Sequence, residues 1–322
     1  MSEIELHRKL LGDHLRNEAF HAALKKVITP GKTTVVDIGA GTGFLSFMAR
    51  QLGAKHCTLI EYTDTLDLAV DLARKNKITD LTFIKAHSAE IAKPPKADVV
   101  ISETLGNYAL EENLLETLVD SRRFLNKNGL IIPGRLRQFV APVLHPRVQE
   151  EIDIWPQVGY GVDLSTARNI SLNNMFVKLI SPNDLGGANL ARCWDDLDFR
   201  PDAPVPDSKR SCTVRWTAKD LAGATHVYGW ALWWECELLP GIGISISPYA
   251  PATHWEQIYL PLLNPLALEP GDTAEVTLGS DTRPQVGVRV SWRTRQLRPP
   301  ECGGEWGKAV SEQTQDIARG RL

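Results

Sequence analysis

The chain has 322 residues, a length that predicts about two domains, and 43% of them are hydrophobic, which is enough for a folded core. Its 36 basic and 39 acidic residues give a net charge of −3, so no overall basic field indicates a nucleic-acid-binding protein. No uncharged apolar run reaches the roughly 18 residues that a membrane span needs. We therefore expect neither nucleic acid nor a membrane as a partner.

The cysteines also narrow the class of protein. They stand at positions 57, 193, 212, 236 and 302, and no two form a C-x-x-C pair. This scatter argues against a zinc site or a disulfide framework, so we expect no metal and a reducing compartment. The first residues, MSEIELHRKL, lack the apolar segment of a signal peptide. The expected location is cytoplasmic.

The first half of the chain alternates helix and strand patterns. Apolar residues recur at helical spacing between Leu6 and Leu24, and Asp13 is placed to cap the second part of this stretch. Strand-like and helix-like segments then alternate: TTVVDIG, GFLSFMARQLG, CTLIEY, LDLAVDLARKN, LTFIKAH, ADVVISE, NLLETLVDSRRFL and GLIIP. Strands that alternate with helices predict right-handed crossovers and a parallel sheet.

After Pro133 the pattern becomes rich in strands. The segments TVRWTA, HVYGWALWWECEL, EQIYLPLL, TAEVTLG and VGVRVSW are separated by Gly, Pro and Asp, and they predict an antiparallel sandwich or barrel. The 27 residues from Glu150 to Phe176 have weak periodicity and fit either a helical arm or a connection. We therefore predict an α/β domain over residues 1–132 and a β-rich domain over residues 133–322.

The stretch VVDIGAGTGFLS places three glycines, Gly39, Gly41 and Gly43, between a predicted strand and a predicted helix. Glycine lets the backbone turn sharply and approach a ligand closely. The spacing is G-x-G-x-G, and Phe44 stands where the dinucleotide fingerprint G-x-G-x-x-G has its last glycine. No G-x-x-x-x-G-K-[ST] loop is present, so a nucleoside triphosphate is not expected.

Two acids accompany the glycines. Asp37 precedes them, and Glu61 closes the next strand, where a carboxylate can accept hydrogen bonds from both ribose hydroxyls. A glycine turn that binds nothing is the alternative. The stretch resembles motif I of the class I S-adenosylmethionine-dependent methyltransferases, and Glu61 resembles their second acidic motif. The resemblance implies S-adenosylmethionine as cofactor, S-adenosylhomocysteine as product, and binding by Asp37, Gly39, Gly41, Gly43 and Glu61.

Three further stretches resemble the protein arginine N-methyltransferases. SETLGNYALEE resembles that family's double-glutamate loop, in which the second Glu follows nine residues after the first; the match selects Glu103 and Glu112 and leaves Glu111 as a neighbour. ATHW, which contains His254 and Trp255, resembles the family's Thr-His-Trp loop. LLGDHLRNEAFHAA resembles the family's first helix, where an Asp and an Arg stand three residues apart.

The resemblance covers nearly the whole chain. It implies a Rossmann-like methyltransferase domain, a β-barrel domain, and a helical arm near residues 150–180 that docks on a second subunit to form a homodimer. It also implies an enzyme that moves the methyl group of S-adenosylmethionine to a guanidino nitrogen of arginine in a protein or peptide.

The chemistry explains why two carboxylates are needed. Taken alone, Glu103 and Glu112 are either solvated surface charges or partners of one buried cation. An arginine guanidinium is a poor nucleophile because its charge and lone pairs are delocalised, and its pKa exceeds about 12. Two carboxylates can hold its planar fork, orient it toward the methyl group and draw charge away from the attacking nitrogen. Empty, they repel each other, so one of them has a raised pKa.

The resemblance gives roles to further residues. Arg16 would pair with the carboxylate of the cofactor, and Ser88 and Ala89 would lie near its adenine. His254 would pair with Asp13 and relay the departing proton. Trp255 belongs to the substrate loop, where we expect it to serve packing.

Three departures from the family pattern leave questions open. No Y-x-x-Y precedes the first helix, so we expect the tyrosine-rich segment that covers the cofactor to be short or missing. Leu10 and Leu114 occupy positions where some members have methionine, which leaves monomethyl, asymmetric dimethyl and symmetric dimethyl products open. Ala89 lacks the acid that some members place on the adenine amino group.

Three other functions compete with this interpretation. The substrate could be free arginine or a small guanidino metabolite, since the chain has no added recognition domain. A catalytically dead, dimeric scaffold would not need both glutamates, His254 and all three glycines. An unrelated small-molecule methyltransferase would not need the Thr-His-Trp stretch.

Overall fold

The structure is a computed structural model that describes residues 3–221, 223–298 and 309–321. The chain divides into two compact units. The first unit contains the residues up to 136 together with 197–206 and 235–245, and the second contains 137–196, 207–234 and the residues from 246 onward. The domain boundary at residues 132 and 133 stays a prediction. Cys302 lies outside the described residues.

The chain begins with two consecutive helices, α1 (Glu3–Leu11) and α2 (His14–Val27). They are separated at Asp13, whose backbone is extended and whose carboxylate accepts the backbone N–H of Arg16 at 3.0 Å. A carboxylate at this position satisfies one of the N–H groups that the first helical turn leaves without a partner. The predicted cap at Asp13 is confirmed. Phe20 and Leu24 of α2 are fully buried.

Strands and helices alternate through the rest of the first 136 residues. They are β1 (Thr34–Ile38), α3 (Phe44–Gln51), β2 (His56–Glu61), α4 (Thr65–Lys75), β3 (Leu81–Lys85), β4 (Ala97–Ile101), α5 (Leu114–Ser121) and β5 (Leu125–Ile132). The strand order is β3-β2-β1-β4-β5, and every pair is parallel. The predicted parallel sheet is confirmed.

The order of the strands determines where a ligand can bind. The chain moves outward from β1 to β2 and β3, then returns to place β4 on the other side of β1. The loops that follow β1 and β4 therefore leave the sheet in opposite directions, and a crevice opens between them at the carboxyl ends of the strands. The glycine loop follows β1, and the loop with Glu103 follows β4. The fold thus brings both predicted motifs to one crevice.

One predicted helix is shorter than expected. We predicted a single long helix over NLLETLVDSRRFL, but α5 ends at Ser121 and Arg122–Phe124 form a 3₁₀ turn. The hydroxyl of Ser121 donates to the carbonyl of Leu118 at 2.6 Å, which competes with the backbone bonding of a longer helix. The tighter turn places Phe124 in the core of the parallel sheet, beside Val36, Ile60 and Val100.

The remaining elements are mainly strands. They are β6 (Arg135–Val143), α6 (Arg147–Ile152), α7 (Ser165–Ser171), β7 (Phe176–Lys178), β8 (Arg192–Asp198), β9 (Lys209–Trp216), α8 (Ala218–Leu221), β10 (His226–Leu239), β11 (Ile242–Ser245), β12 (Gln257–Ala267), β13 (Thr273–Asp281), β14 (Arg289–Leu297) and β15 (Ala309–Asp316). One sheet has the order β7-β12-β10-β6-β8, with β11 pairing with β10, and the other has the order β15-β14-β13-β9. The predicted β-rich region is confirmed; its closure into a barrel stays a prediction.

Tryptophans join the two sheets within the second unit. Trp230 of β10 stacks on Trp216 of β9, and the ring centroids are 5.0 Å apart. Its indole N–H donates to the hydroxyl of Thr294 on β14 at 2.8 Å. Trp292 of β14 donates in the same way to the carbonyl of Pro261 on β12 at 2.9 Å. Each buried indole therefore contributes a large apolar surface and has its one donor satisfied.

The segment predicted as a helical arm is only partly helical. It contains the end of α6, a 3₁₀ turn at Trp155–Gln157 and α7. Arg168 holds α7 to the end of α6 through two hydrogen bonds of 2.9 Å from its Nε to the carboxylate of Asp153. Between these helices the chain exposes apolar side chains, of which Tyr160 is 96% exposed.

Two observations concern the whole described chain. Over residues 3–221, 223–298 and 309–321, no helix is both long and apolar enough to cross a membrane. The four cysteines in these ranges are free thiols. Cys57 on β2 and Cys236 on β10 are buried, and Cys193 on β8 is exposed.

Candidate active site

The glycine loop turns sharply at the carboxyl end of β1. Gly39, Gly41 and Gly43 have φ angles of 72°, 51° and 78°, in the left-handed region that favours glycine. A Cβ on Gly39 would lie 3.0 Å from Cγ2 of Thr104, and one on Gly43 would lie 2.8 Å from Cζ of Phe47. Both the backbone conformation and the close packing therefore require glycine here.

Asp37 anchors the start of this loop from inside the protein. Its side chain is 1% exposed, and the hydroxyl of Ser46 on α3 donates to its Oδ2 at 2.7 Å. Burial raises the pKa of Asp37 from 3.8 to about 6, although the bonds from Ser46 and the charge of Arg16 oppose this shift. Asp37 therefore fixes the loop to α3 and lies too deep to face bulk water.

Glu61 joins the glycine loop to the next strand. It is 7% exposed at the end of β2, where its Oε2 accepts the N–H of Gly41 at 3.1 Å and its Oε1 accepts the N–H of Thr63 at 2.9 Å. A carboxylate has about four lone-pair sites. Glu61 therefore has acceptor capacity left for the two hydroxyls of a ribose.

Arg16 and Glu103 form the main ion pair of the crevice. Both side chains are nearly inaccessible to solvent, with exposures of 4% and 3%. Nε of Arg16 donates to Oε2 of Glu103 at 2.8 Å, and Nη2 donates to the same oxygen. Nη1 of Arg16 donates to the side chain of Asn17 at 2.9 Å. The guanidinium from α2 is thus held by the carboxylate that the sequence assigned to substrate.

The other two acids of the loop behave differently from each other. Glu111 accepts hydrogen bonds from the backbone N–H groups of Asn107 and Tyr108. Glu112 is exposed, and its carboxylate accepts no hydrogen bond from the part of the chain that the structure describes. Partial desolvation of the carboxylate by neighbouring atoms raises the pKa of Glu112, and the negative charges of Glu103 and Glu111 raise it further. The carboxylates of Glu103 and Glu112 are therefore close enough to repel each other.

The residues in the crevice fit a nucleoside cofactor. The positive φ angles leave a cradle without Cβ atoms, and Glu61, which accepts the N–H of Gly41, stands beside it. Thr104 lies against Gly39, and its Oγ1 is buried with no hydrogen-bond partner in the described ranges. Such an orphaned hydroxyl is explained when a bound molecule supplies the partner. His7 of α1 closes one side, since a Cβ on Gly41 would lie 2.8 Å from its Cε1.

Ser88 and Ala89 lie in a 3₁₀ turn, Ser88–Glu90, that follows β3. The backbone N–H of Ala89 donates to Nδ1 of His87 at 3.3 Å, and Ser88 is buried. The ring of His87 lies 5.8 Å from that of Tyr62, which directly follows Glu61. The predicted adenine contacts thus stand at the carboxyl end of the strand next to β2, and their role stays a prediction.

The Thr-His-Trp stretch belongs to the second unit. The rings of His254 and Trp255 are 3.8 Å apart, and the buried Trp255 packs edge-on against Trp234 at 5.1 Å. The hydroxyl of Thr253 donates to the carbonyl of Trp255 at 3.3 Å. Trp255 thus packs inside its unit, as expected. The predicted pair of His254 with Asp13 and its role as proton relay stay predictions.

Several contacts of the site were not predicted. No sequence pattern pointed to three of the residues, Ser46, His7 and Thr104. Each of them contributes through a contact that exists only in the folded chain. Arg16 was predicted as a partner of the cofactor, and its ion pair with Glu103, 87 positions away, was missed. No group of three or more His, Cys, Asp or Glu side chains that could hold a metal occurs among the residues that the structure describes.

The sequence is similar to known methyltransferases over most of its length. Residues 30–161 match a methyltransferase domain, and residues 137–295 match the arginine methyltransferase oligomerization subdomain. Protein arginine N-methyltransferase 6 of Xenopus tropicalis is 31% identical over 301 residues, which are 88% of this chain and 86% of the relative. Protein arginine N-methyltransferase 1 of Oryza sativa subsp. indica is 28% identical over 280 residues, which are 84% of this chain and 70% of that relative.

Solved structures share the fold. The Trypanosoma brucei PRMT1 enzyme-prozyme heterotetrameric complex with AdoHcy has a TM-score of 0.80 at 20% identity, covering 97% of this chain and 98% of that one. A structure of PRMT6 with SAH has a TM-score of 0.71 at 20% identity, covering 91% of this chain and 100% of that one. The predicted order of a Rossmann-like domain followed by a β-rich domain is confirmed.

Proposed function

Because the chain belongs to the protein arginine N-methyltransferase family, we propose that Glu103 and Glu112 hold the guanidinium of a protein arginine during its methylation. The chain is an S-adenosylmethionine-dependent methyltransferase that acts on protein arginine. We call this pair, Glu103 and Glu112, the clamp. One observation supports it most directly: Glu103 already binds a guanidinium, that of Arg16, and the nearby carboxylate of Glu112 accepts no hydrogen bond from the described chain.

The clamp works through charge and orientation. A substrate guanidinium that meets Glu112 and the open side of Glu103 has its plane fixed by charge-assisted hydrogen bonds. Its positive charge offsets the negative charges of Glu103 and Glu111, which together with burial raise the pKa of Glu112. Once ionised, Glu112 can accept the proton that the methylated nitrogen loses.

The cofactor would be held by residues of the first unit. S-adenosylmethionine supplies an electrophilic methyl group on its sulfonium. Glu61 would accept the ribose hydroxyls, and the cradle of Gly39, Gly41 and Gly43 would let the nucleoside approach the backbone. Arg16 has its Nη1 on Asn17 and its other nitrogens on Glu103, so a carboxylate of the cofactor would extend this pair into a network. Arg16 thereby links the cofactor to the clamp.

The first test compares substrates. Purified protein is supplied with labelled S-adenosylmethionine and, in parallel, with an arginine-rich peptide, the same peptide with every Arg changed to Lys, and free arginine; products are identified by mass. We expect methylation of the arginine peptide alone, and the masses give the degree of methylation. Methylation of free arginine alone would favour a metabolic enzyme on this scaffold. No transfer to any of the three, with the cofactor still bound, would favour another guanidino substrate or the scaffold role.

We also propose that the chain forms a homodimer through the arm at residues 150–180. The match of residues 137–295 to an oligomerization subdomain supports an oligomer. The exposed apolar side chains of Ile154, Tyr160 and Val162 support the arm as the contact, because contiguous exposed apolar surface marks interaction sites.

Light scattering at micromolar concentration tests this proposal. We expect a dimer for the native chain and a monomer for Tyr160→Ser. Tyr249→Ser removes an exposed tyrosine outside the arm and serves as the control. A monomeric native chain would contradict the proposal.

Cytoplasmic location remains part of the proposal. The free thiols of the four described cysteines support it, because extracellular proteins commonly pair their cysteines. Fractionation of cells that express the native chain would test it.

A further inference from the structure

The loop between β4 and α5 carries three carboxylates, and the proposed clamp uses only two. Glu103 is bound to Arg16, and its Oε1 also accepts the N–H of Leu105 at 3.2 Å. Glu112 is exposed and uncommitted. Glu111 stands directly beside Glu112 in sequence and has no part in the proposed reaction. Unlike that of Glu112, the carboxylate of Glu111 is hydrogen-bonded to the backbone of the loop.

Glu111 folds back over its own loop. Its carboxylate accepts the backbone N–H groups of Asn107 and Tyr108, and its own N–H donates to the carbonyl of Tyr108 at 2.9 Å. These bonds close the chain into a turn between the two clamp glutamates. A carboxylate that accepts N–H groups forms charge-assisted hydrogen bonds, which are stronger than neutral ones.

Gly106 provides the space for this arrangement. A Cβ on Gly106 would lie 2.4 Å from Oε2 of Glu111 and 2.8 Å from its Cβ. The φ angle of Gly106 is not in the left-handed region. The glycine is therefore required by the close approach of Glu111 and not by the backbone conformation.

We propose that Glu111 is a positioning residue, whose carboxylate ties the turn between Glu103 and Glu112 and so fixes the separation of the two clamp carboxylates. The inference rests on the proposed function of those two residues. Glu103 is anchored at one end by Arg16 and Leu105, whereas nothing in the described ranges holds the carboxylate of Glu112. The tie at Asn107 and Tyr108 then restrains the chain on the N-terminal side of Glu112, and α5 restrains it on the C-terminal side. Misplacement of a catalytic group by about 1 Å can cost about 10²-fold in rate.

Two substitutions of Glu111 test whether the hydrogen-bond acceptor of its side chain is what positions the clamp. Glu111→Gln keeps a carbonyl oxygen that can accept both N–H groups, so we expect kcat for the arginine peptide to stay within about threefold of the native value. Glu111→Ala removes the acceptor, so we expect kcat to fall at least about tenfold. The Kd for S-adenosylhomocysteine, measured by calorimetry, should stay within about twofold because Glu61 and the glycines are untouched. Asp71→Asn, on the exposed face of α4, is the control for loss of one negative charge.

Gly106→Ala should break the same hydrogen bonds of Glu111 by a different means. Its new Cβ displaces the Glu111 side chain, so its loss in kcat should resemble that of Glu111→Ala. The double variant should lose about what either single variant loses, because both break one interaction. Losses that multiply would show that the two residues act independently and would overturn the proposal, as would native kcat in Glu111→Ala.

Amide hydrogen exchange tests the tie without using activity. We expect the segment 105–112 to exchange at least about tenfold faster in Glu111→Ala than in the native chain, with Glu111→Gln close to native. Unchanged exchange in Glu111→Ala overturns the proposal whatever the enzyme does. If the exchange result holds but the native protein methylates no arginine peptide, the clamp assignment fails and the tie of the turn stands.

Discussion

Two loops leave neighbouring strands of one parallel sheet, and they use their acids in different ways. Beside the loop after β1, Asp37 of β1 accepts the hydroxyl of Ser46 and Glu61 at the end of β2 accepts two backbone N–H groups, so both acids hold the loop in place. After β4, Glu103 holds Arg16 while Glu112 holds nothing in the described chain. The acids beside the first loop are thus committed to hydrogen bonds within the protein, whereas the second loop has one carboxylate, that of Glu112, which accepts no hydrogen bond from the described chain.

The strongest test of this difference is the Glu103→Gln variant. It leaves the buried guanidinium of Arg16 without its counter-charge, which typically costs about 3–5 kcal/mol. We expect a loss of this size in the free energy of unfolding from urea titration, and a fall in kcat of at least about 100-fold because one half of the clamp is lost. A variant that keeps native stability would show that the ion pair contributes little.

Glu112→Gln should affect activity alone. Glu112 is an exposed residue whose carboxylate accepts no hydrogen bond from the described chain, so we expect the free energy of unfolding to change by no more than about 0.5 kcal/mol. The loss of one clamp carboxylate should lower kcat about 100-fold. The Kd for S-adenosylmethionine, from calorimetry, should remain nearly native. Native turnover in this variant would remove the clamp hypothesis.

Gly43→Ala tests the rigidity of the glycine loop. The new Cβ would lie 2.8 Å from Cζ of Phe47 and 2.9 Å from Cδ2 of Leu59, at a φ of 78°. We expect a loss of about 2–3 kcal/mol in the free energy of unfolding, from the φ strain and the overpacking together. Gly31→Ala is the matched control, because Gly31 has a φ of 70° with nothing within 4 Å of a Cβ. Equal losses in the two variants would show that packing around Gly43 is unimportant.

The pH dependence of stability tests Asp37. Its pKa is about 6 in the folded chain against 3.8 for an ordinary aspartate, so the folded state holds the proton between these values while the unfolded state has lost it. Stability from this group is thus fully present below about pH 4 and declines as the pH rises to about 6. We expect the difference in unfolding free energy between native and Asp37→Asn to fall by about 2 kcal/mol from pH 4 to pH 7. A difference that is constant with pH would contradict the shift.

The sequence was sufficient where a local pattern decides the structure. Asp13 was predicted as a cap because an acid before an apolar helix can accept the free N–H groups of its first turn. The glycine loop, Glu61 and the double-glutamate segment were placed at strand ends because buried strands end at recognisable turn residues. Their meeting in one crevice follows from the strand order, since β1 and β4 are neighbours.

The rest depended on contacts that no short window of sequence contains. The ion pair of Arg16 with Glu103 joins α2 to the loop after β4, and either residue alone is typical of a solvated charge. The tie of Glu111 to Asn107 and Tyr108 is local, yet it depends on the conformation of the turn and on the absence of a side chain at Gly106. The end of α5 at Ser121 was missed because its apolar spacing continues into the 3₁₀ turn.

The two buried thiols, those of Cys57 and Cys236, can report local unfolding of the protein. Burial raises the pKa of Cys57 to about 12 and that of Cys236 further, so almost no thiolate is present on either at neutral pH. Alkylating reagents should therefore reach Cys57 only when the parallel sheet opens, and should modify Cys193 sooner because it is exposed. The labelling rate of Cys57, read by mass, would then report how often the centre of the first unit unfolds, and a bound nucleoside should slow it.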